Sequence, residues 1–436
     1  MQKNARDAAL EILERCRRDG AWSGAVIDNA IKKYGFDHRD SALVSRICLG
    51  VLQNTALCDF YIDSYCGKKL EPKVRDILRL GAYQLLFMDK IPDSAAVNES
   101  VTLCRRHSLS RAAGLVNAVL RKIADNKNSL PEIPGKGTCG HLAIKYSHPE
   151  WLCEYICRLH GYEFAEEFLR ADNGIPKLTI QVNTLKIPVA DYLALLDEAG
   201  MAYDASESLP GCVSLRGAAA ELPGFDEGLF YVQDRAARTA AAAAGVKPGM
   251  AVLDACSCPG GKSFASAISM QNCGSIVSCD IHEKKLGLVR SGAERLGIGI
   301  IQTACMDAKR YEPNFAERFD VVIADVPCSG MGVIAKKPEI RGKTWDEISG
   351  MPAIQADILQ NLSRYVKPGG VLLYSTCTVI KEENEGVVNA FLDDNKDFTA
   401  EAFAAGNICA EDGMYTFWPN VNGTDGFFAA KLRKKL

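Results

Sequence analysis

The chain has no apolar run that approaches the ~18 residues needed to cross a bilayer as a helix. Its first stretch, Met1 to Gly20, sets Arg, Asp and Glu among the apolar positions. It therefore lacks the continuous apolar core of a secretory leader, and the expectation is a cytoplasmic protein with no membrane partner. Histidine is scarce, six residues in all, and no His-Glu-x-x-His occurs. Among 17 cysteines there is no Cys-x-x-Cys pair. The nearest patterns, Cys153-x-x-x-Cys157 and Cys256-Ser-Cys258, have no matching second pair, so no metal site is expected. The chain is too long for a small disulfide scaffold, and most cysteines read as reduced, buried small side chains. Net charge is only −3, which by itself suggests no nucleic acid partner.

The charge distribution says more. Residues 1–140 carry 22 Lys and Arg against 16 Asp and Glu, whereas the other 296 carry 29 against 38. A basic amino-terminal third on an acidic body is the asymmetry expected where that third meets a phosphate backbone.

At 436 residues the chain has room for two or three domains. Residues 1–125 read as helix throughout. Apolar faces recur at Ala8, Leu10, Ile12 and Leu13, then at Leu43, Ile47 and Val51, then at Val74, Ile77, Leu78 and Leu85, with Pro72 near a helix start. Residues 126–140, rich in Asn, Ser, Pro and Gly, read as a linker. Ser147 or His148 is positioned to cap a helix beginning at Pro149. Strand-like Leu178 to Val182, helical Val189 to Ala199, and short strands Val213 to Leu215 and Leu229 to Val232 then make a small α+β module. From Gln233 the pattern alternates. Strands are expected at 251–255, 275–279, 299–304, 321–325, 371–375 and 426–432, with helices between, which implies a mostly parallel sheet covered on both faces. The expected divisions are 1–140, 141–232 and 233–436.

Chemistry concentrates at the strand ends of that last region. After the first strand comes Asp254-Ala-Cys256-Ser257-Cys258-Pro259-Gly260-Gly261-Lys262-Ser263. The Gly-Gly-Lys-Ser tail looks like a phosphate loop, but that motif needs glycine at position 256, which is Cys. No Gly-x-Gly-x-x-Gly occurs either. What remains is a glycine turn whose backbone can approach a ligand closely. The next strands lead to Asp280, Asp307 and Asp325. Each acid alone reads as a cap or turn former. Together they describe a nucleoside-sized site without phosphate, which fits S-adenosyl-L-methionine better than a nucleotide. Two thiols complete the pattern: Cys328 in Asp325-Val-Pro-Cys328-Ser-Gly, and Cys377 in Ser375-Thr-Cys377-Thr.

These motifs resemble those of the RNA 5-methylcytosine methyltransferases, and the amino-terminal helices, with Val97-Asn-Glu-Ser and Val116-Asn-Ala-Val-Leu-Arg-Lys, resemble the NusB-like RNA-binding domain. The pairing resembles the bacterial RsmB (Sun) group, which modifies small-subunit (16S) ribosomal RNA. Tyr146-Ser-His-Pro-Glu-Trp-Leu, Val182-Asn-Thr-Leu-Lys and Gly423-Thr-Asp-Gly-Phe-Phe fit the same group, so the resemblance spans the chain. It implies an all-α NusB-like bundle, a small α+β RNA-binding module and an α/β Rossmann-like class I methyltransferase sheet. It also implies S-adenosyl-L-methionine as cofactor and ribosomal RNA as partner; a monomer is expected, though no feature of the sequence sets the oligomeric state. Residues 256–262 would line the methionine end of the cofactor, with Asp280 at the ribose, Asp307 near the adenine, and Asp325 between cofactor and base. Lys262 would assist electrostatically, Cys377 would be the nucleophile on carbon 6, and Cys328 the thiol that helps release product. DNA cytosine-5 enzymes use the Pro-Cys thiol for attack, so the opposite assignment of the two thiols is open to test. Two departures stand out: Cys258 replaces the more usual Ala, and Gln181 replaces an Arg, which puts one RNA contact in doubt. Rival readings are a transfer RNA methyltransferase and a non-catalytic RNA-binding protein. The second predicts decay of the catalytic positions, yet all four are present.

Overall fold

A computed structural model describes residues 3–436. They divide into two compact units: the residues up to Gly174 with Ile334–Trp345, and Ile175–Val333 with Asp346–Leu436.

The first unit is helical. Helices span Ala5–Asp19, Ser23–Tyr34, His38–Gln53, Thr55–Tyr65, Pro72–Phe87, Asp93–Arg106 and Ala113–Asp125. Local chemistry sets their ends. The Asn4 side chain accepts from the amides of Arg6 and Asp7, Gly20 closes the first helix at φ 60°, and Pro72 opens the fifth. Leu10, Ile12, Ile47, Val51, Leu78, Leu80 and Val116 meet in one core, each at most 1% exposed. Three more helices follow, Cys139–Tyr146, Glu150–His160 and Tyr162–Asp172. The first of these begins at the end of the stretch read as linker, capped by Thr138. Ser147 and His148 do not cap the next helix. Ser147 is left-handed (φ 52°) and its hydroxyl accepts from Leu57 N–H, while the His148 ring lies between the Tyr146 carbonyl and Asp172.

Ile334–Trp345, which follows the Pro-Cys loop in sequence, packs within this helical unit. Arg341 donates to the carbonyls of Tyr146 and Ser147 and to Asn173 Oδ1, at 2.6–3.0 Å. Glu339 accepts from the amide and hydroxyl of Ser23, and Trp151 donates to the Lys343 carbonyl. Burial pushes the Arg341 guanidinium down to about 10, so it remains charged at neutral pH.

In the second unit, β1 (Leu178–Val182), β2 (Tyr203–Ala205), β3 (Cys212–Leu215) and β4 (Phe230–Val232) form an antiparallel sheet in the order β2-β3-β1-β4. The helix Val189–Glu198 packs on it through Tyr192 and Leu196. Gln181 points inward and donates to Cys212 Sγ and the Gln233 carbonyl, so it acts as an internal strut.

The large sheet contains β5 (Ala251–Asp254), β6 (Ser275–Asp280), β7 (Ile301–Cys305), β8 (Phe319–Asp325) and β9 (Val366–Thr376). Then follow β10 (Phe398–Ala400), a separate hairpin of β11 (Phe403–Ala405) and β12 (Ile408–Ala410), β13 (Met414–Phe417) and β14 (Phe427–Lys434). The order is β10-β14-β9-β8-β5-β6-β7, with β13 also on β14. Neighbours along β9-β8-β5-β6-β7 pair in parallel, while β14 runs antiparallel to β9, β10 and β13. The sheet is therefore mixed, and the three- and four-residue strands between 398 and 417 are too short for alternation to show in sequence. Successive β8 residues alternate between two cores: Val321 and Ile323 face one, Val322 and Ala324 the other. Helices Gly261–Ser269, Glu283–Leu296, Met351–Ser363 and Glu385–Asp394 follow the strands. No single helix among the described residues is long and apolar enough to cross a membrane.

Candidate active site

Parallel strands in the order β9-β8-β5-β6-β7 present their C-terminal ends along one edge. Along it lie, in turn, Cys377 after β9, Asp325 at the end of β8 with Cys328 beyond it, the glycine turn after β5, Asp280 at the end of β6 and Asp307 after β7. Open α/β sheets bind ligands at this edge because side chains and helix amino termini converge there.

The two thiols, 49 residues apart in sequence, meet at 3.1 Å between sulfurs, and the Cys377 amide donates to Cys328 Sγ at 3.3 Å. The cause is register. Asp325 pairs with Ser375, so the loops leaving β8 and β9 start side by side. The neighbouring Cys377 thiol, then burial, then the Glu383 carboxylate push Cys328 well above the usual thiol range. Cys328 thus holds its proton while Cys377 lies beside it.

Both Asp325 oxygens are engaged. Oδ1 accepts from Ser375 Oγ at 2.7 Å, and Oδ2 lies 2.6 Å from Lys262 Nζ. The Lys262 side chain is 7% exposed, and its ammonium also sits 4.9 Å from the centre of the Phe427 ring. A buried ammonium needs such partners, because burial without them is very costly. Phe427 opens β14, whose approach is stitched to the Pro-Cys loop. Gly332 donates to the Cys377 carbonyl, and the Gly332 carbonyl accepts from Gly426 N–H at 2.7 Å. A Cβ on Gly332 would stand 1.9 Å from the Gly426 oxygen, so only glycine permits this approach.

The glycine turn is built as its sequence implied. Gly260 adopts φ 115°, and Gly261 begins a helix. Cys256, Cys258 and Gly261 are half-buried, Ser257 is buried and Pro259 exposed. Burial, then the Asp280 carboxylate, pushes Cys258 up to about 12, and burial, then nearby acids, raises Cys256 further. Both stay thiols at neutral pH and are poor nucleophiles. Asp280 and Asp307 do serve as turn formers, each accepting an amide two residues on, from His282 at 2.8 Å and Lys309 at 3.0 Å. Both remain half-exposed at the edge and so stay open to a ligand.

Asp254, fully buried beneath the turn, accepts from Ser263 Oγ at 2.6 Å, while its Oδ1 has no partner. Burial pushes its carboxyl up to about 7. A raised folded pKa means the folded state binds more protons than the unfolded state between about pH 4 and 7. Stability should therefore fall as pH rises through that window, by a few kcal/mol at most. Asp254→Asn keeps an acceptor for Ser263 and removes the titration. Urea midpoints measured at pH 5 and pH 8 should fall less for the variant than for the parent, and equal slopes would refute the assignment.

Sequence reasoning missed the polar network behind the thiols: Ser329, Gln355, Thr378, Glu383 and Asn384, all buried. A signal existed in Thr376 and Thr378 at the end of an otherwise apolar strand and in the acidic Glu382-Glu383-Asn384 that follows.

Comparison with known proteins agrees with this architecture. Residues 3–125 match the NusB family, 148–220 the ferredoxin-like domain of RsmF/B-like methyltransferases, and 243–433 the 16S rRNA methyltransferase RsmB/F family. A Bacillus subtilis (strain 168) protein named "Probable ribosomal RNA small subunit methyltransferase B" is 34% identical over 99% of both chains. The Escherichia coli "Ribosomal RNA small subunit methyltransferase B" is 31% identical over 100% of this chain and 99% of its own. The crystal structure of PH0851 superposes with a TM-score of 0.82 at 28% identity, covering 100% of each chain. With relatives above 30% identity along its whole length, this chain belongs to the ribosomal RNA small subunit methyltransferase B family.

Proposed function

We propose that this chain methylates C5 of a cytosine in small-subunit ribosomal RNA, using S-adenosylmethionine and a covalent bond between Cys377 and C6 of the base. The observation that carries the reading is the thiol pair, 3.1 Å apart, beside the Asp325–Lys262 ion pair at the ligand-binding edge of the sheet. The ribosomal substrate follows from the names of the relatives.

The edge fits the cofactor. It offers a glycine turn at a helix start, the half-exposed carboxylates of Asp280 and Asp307, and an unpartnered buried oxygen on Asp254 beneath the turn. Residues 256–262 would hold its methionine end, Asp280 its ribose and Asp307 the adenine side. When bound, it supplies an electrophilic sulfonium methyl group.

C5 of cytosine is a weak nucleophile until a thiolate adds to C6 and makes the ring enamine-like. Cys328, held protonated, can donate its S–H to a Cys377 thiolate and so favour the attacking form. Asp325, one third exposed and steadied by Ser375 and Lys262, would donate to ring N3 once it carries or shares a proton, which makes C6 more electrophilic. Once Cys377 is bonded to C6, its sulfur is a poor acceptor, and the hydrogen bond that is the largest influence holding the Cys328 proton is lost. Cys328 can then lose that proton to solvent and, as thiolate, take the C5 proton. The C6–S bond breaks, aromaticity returns, and the product is released. A stacked base cannot present C6, so the target must be unpaired or flipped out.

Bisulfite sequencing of RNA from cells with and without this chain tests the reading. Loss of one 5-methylcytosine confined to small-subunit RNA is expected. Loss confined to transfer RNA would move the substrate, and no loss in any RNA would leave a binding protein.

A further inference from the structure

β8 and β9 end their ladder at Asp325 and Ser375, yet the two sulfurs lie three and two residues further on, respectively. Strand register brings the two loops side by side, and a closed ring of buried polar groups then ties them to each other beyond the ladder. Glu383, 1% exposed, lies in the short turn Lys381–Glu383. Its Oε2 accepts from the Ser329 amide at 2.9 Å and from Gln355 Nε2 at 2.8 Å, and its Oε1 faces Thr378 Oγ1 at 3.4 Å. Ser329 Oγ and Thr378 Oγ1 close the ring at 2.8 Å. Ser329 directly follows Cys328, and Thr378 directly follows Cys377. Further bonds brace the ring. Gln355 also donates to the Pro327 carbonyl, Tyr374 donates to the Glu383 carbonyl at 2.6 Å, and Asn384 joins Thr376 Oγ1 to the Thr378 carbonyl.

We infer that Glu383 is a positioning residue for methyl transfer, clamping the Cys328 and Cys377 loops through Ser329 and Thr378 and so fixing the distance between the two thiols. A carboxylate suits the task because one group takes several donors at once, and a buried carboxylate is tolerated only where donors converge on it. The inference rests on the reading of Cys377 and Cys328 as the reacting thiols. Catalysis that hands work from one sulfur to its neighbour is sensitive to about an ångström of misplacement.

The test compares Glu383→Ala with Glu383→Gln in the full chain. Glutamine can keep its carbonyl oxygen on the Ser329 and Gln355 donors and turn its amide toward Thr378; alanine cannot. For the alanine variant kcat should fall about 100-fold, with KM for ribosomal RNA and sinefungin affinity unchanged. The glutamine variant should recover most of the loss. A second readout follows the thiols directly. Brief oxidation with diamide and peptide mass mapping give the rate at which Cys328 and Cys377 become cross-linked. That rate should drop about tenfold in the alanine variant and hold near the parent value in the glutamine variant. A parent-like cross-link rate in Glu383→Ala overturns the proposal, whatever its kcat, and so does a parent-like kcat. Should Glu383→Ala fail to fold, Thr378→Val removes the ring closure at constant shape and must slow cross-linking; an unchanged rate overturns the proposal there. If the parent itself methylates no ribosomal RNA, the functional reading fails while the cross-link rates still decide the clamp.

Discussion

Cys377→Ala is expected to abolish methylation, lowering turnover on the order of 10⁴-fold or more while leaving RNA and cofactor affinity in place. Without a sulfur bonded to C6, C5 has no route to the electron density it needs, so the loss falls on the chemical step and not on binding. The substitution removes one atom from a half-buried side chain at a loop, so the fold should survive with little change in Tm. No covalent protein–RNA species should form even with substrate and cofactor in excess. Cys328 remains nearby in this variant and tests the assignment. If a gel-shifted adduct persists and mass mapping places it on Cys328, the two thiols exchange roles.

Cys328→Ala should behave in the opposite sense, accumulating a covalent adduct. Attack and methyl transfer need Cys377, but breaking the C6–S bond requires removal of the C5 proton, which falls to Cys328. Turnover should stop after about one methyl group per enzyme, with a denaturation-resistant protein–RNA band that contains the methylated base. The pH dependence carries a second mark. The Cys328 S–H that steadies a Cys377 thiolate is gone, so the half-maximal rate of adduct formation should shift to higher pH. Normal turnover with no adduct would remove Cys328 from the mechanism.

Much of this site was legible in the linear chain because its parts are local. The glycine turn of residues 258–261 follows its strand directly. Asp280 and Asp325 end theirs, and Asp307 follows within two residues of β7. Helix and strand periods are short, so Glu283–Leu296 and Leu178–Val182 fall within the bounds their patterns imply. Where structure departs from pattern, the signal is short or ambiguous. The strands of residues 398–417 span three or four residues each, and the helix Cys139–Tyr146 starts behind a Pro- and Gly-rich stretch. Ser147 reads as a cap in sequence because its hydroxyl suits that task, yet a tertiary partner, the Leu57 amide, claims it.

Residue types and spacing alone thus set the order of chemistry: a helical third with excess basic charge, a small module, then an alternating sheet with a glycine turn, three acids and two thiols at strand ends. Tertiary structure decided what those thiols touch. Their 3.1 Å approach depends on the β8–β9 register, on Gly332 meeting Gly426, and on Glu383 bridging Ser329 and Thr378. It also decided that Ile334–Trp345 packs with the helical unit through Arg341. The physical reason is range. Helices, turns and strand alternation are encoded within a few residues, whereas a contact across 49 residues is chosen by strand pairing and burial, which no local pattern records.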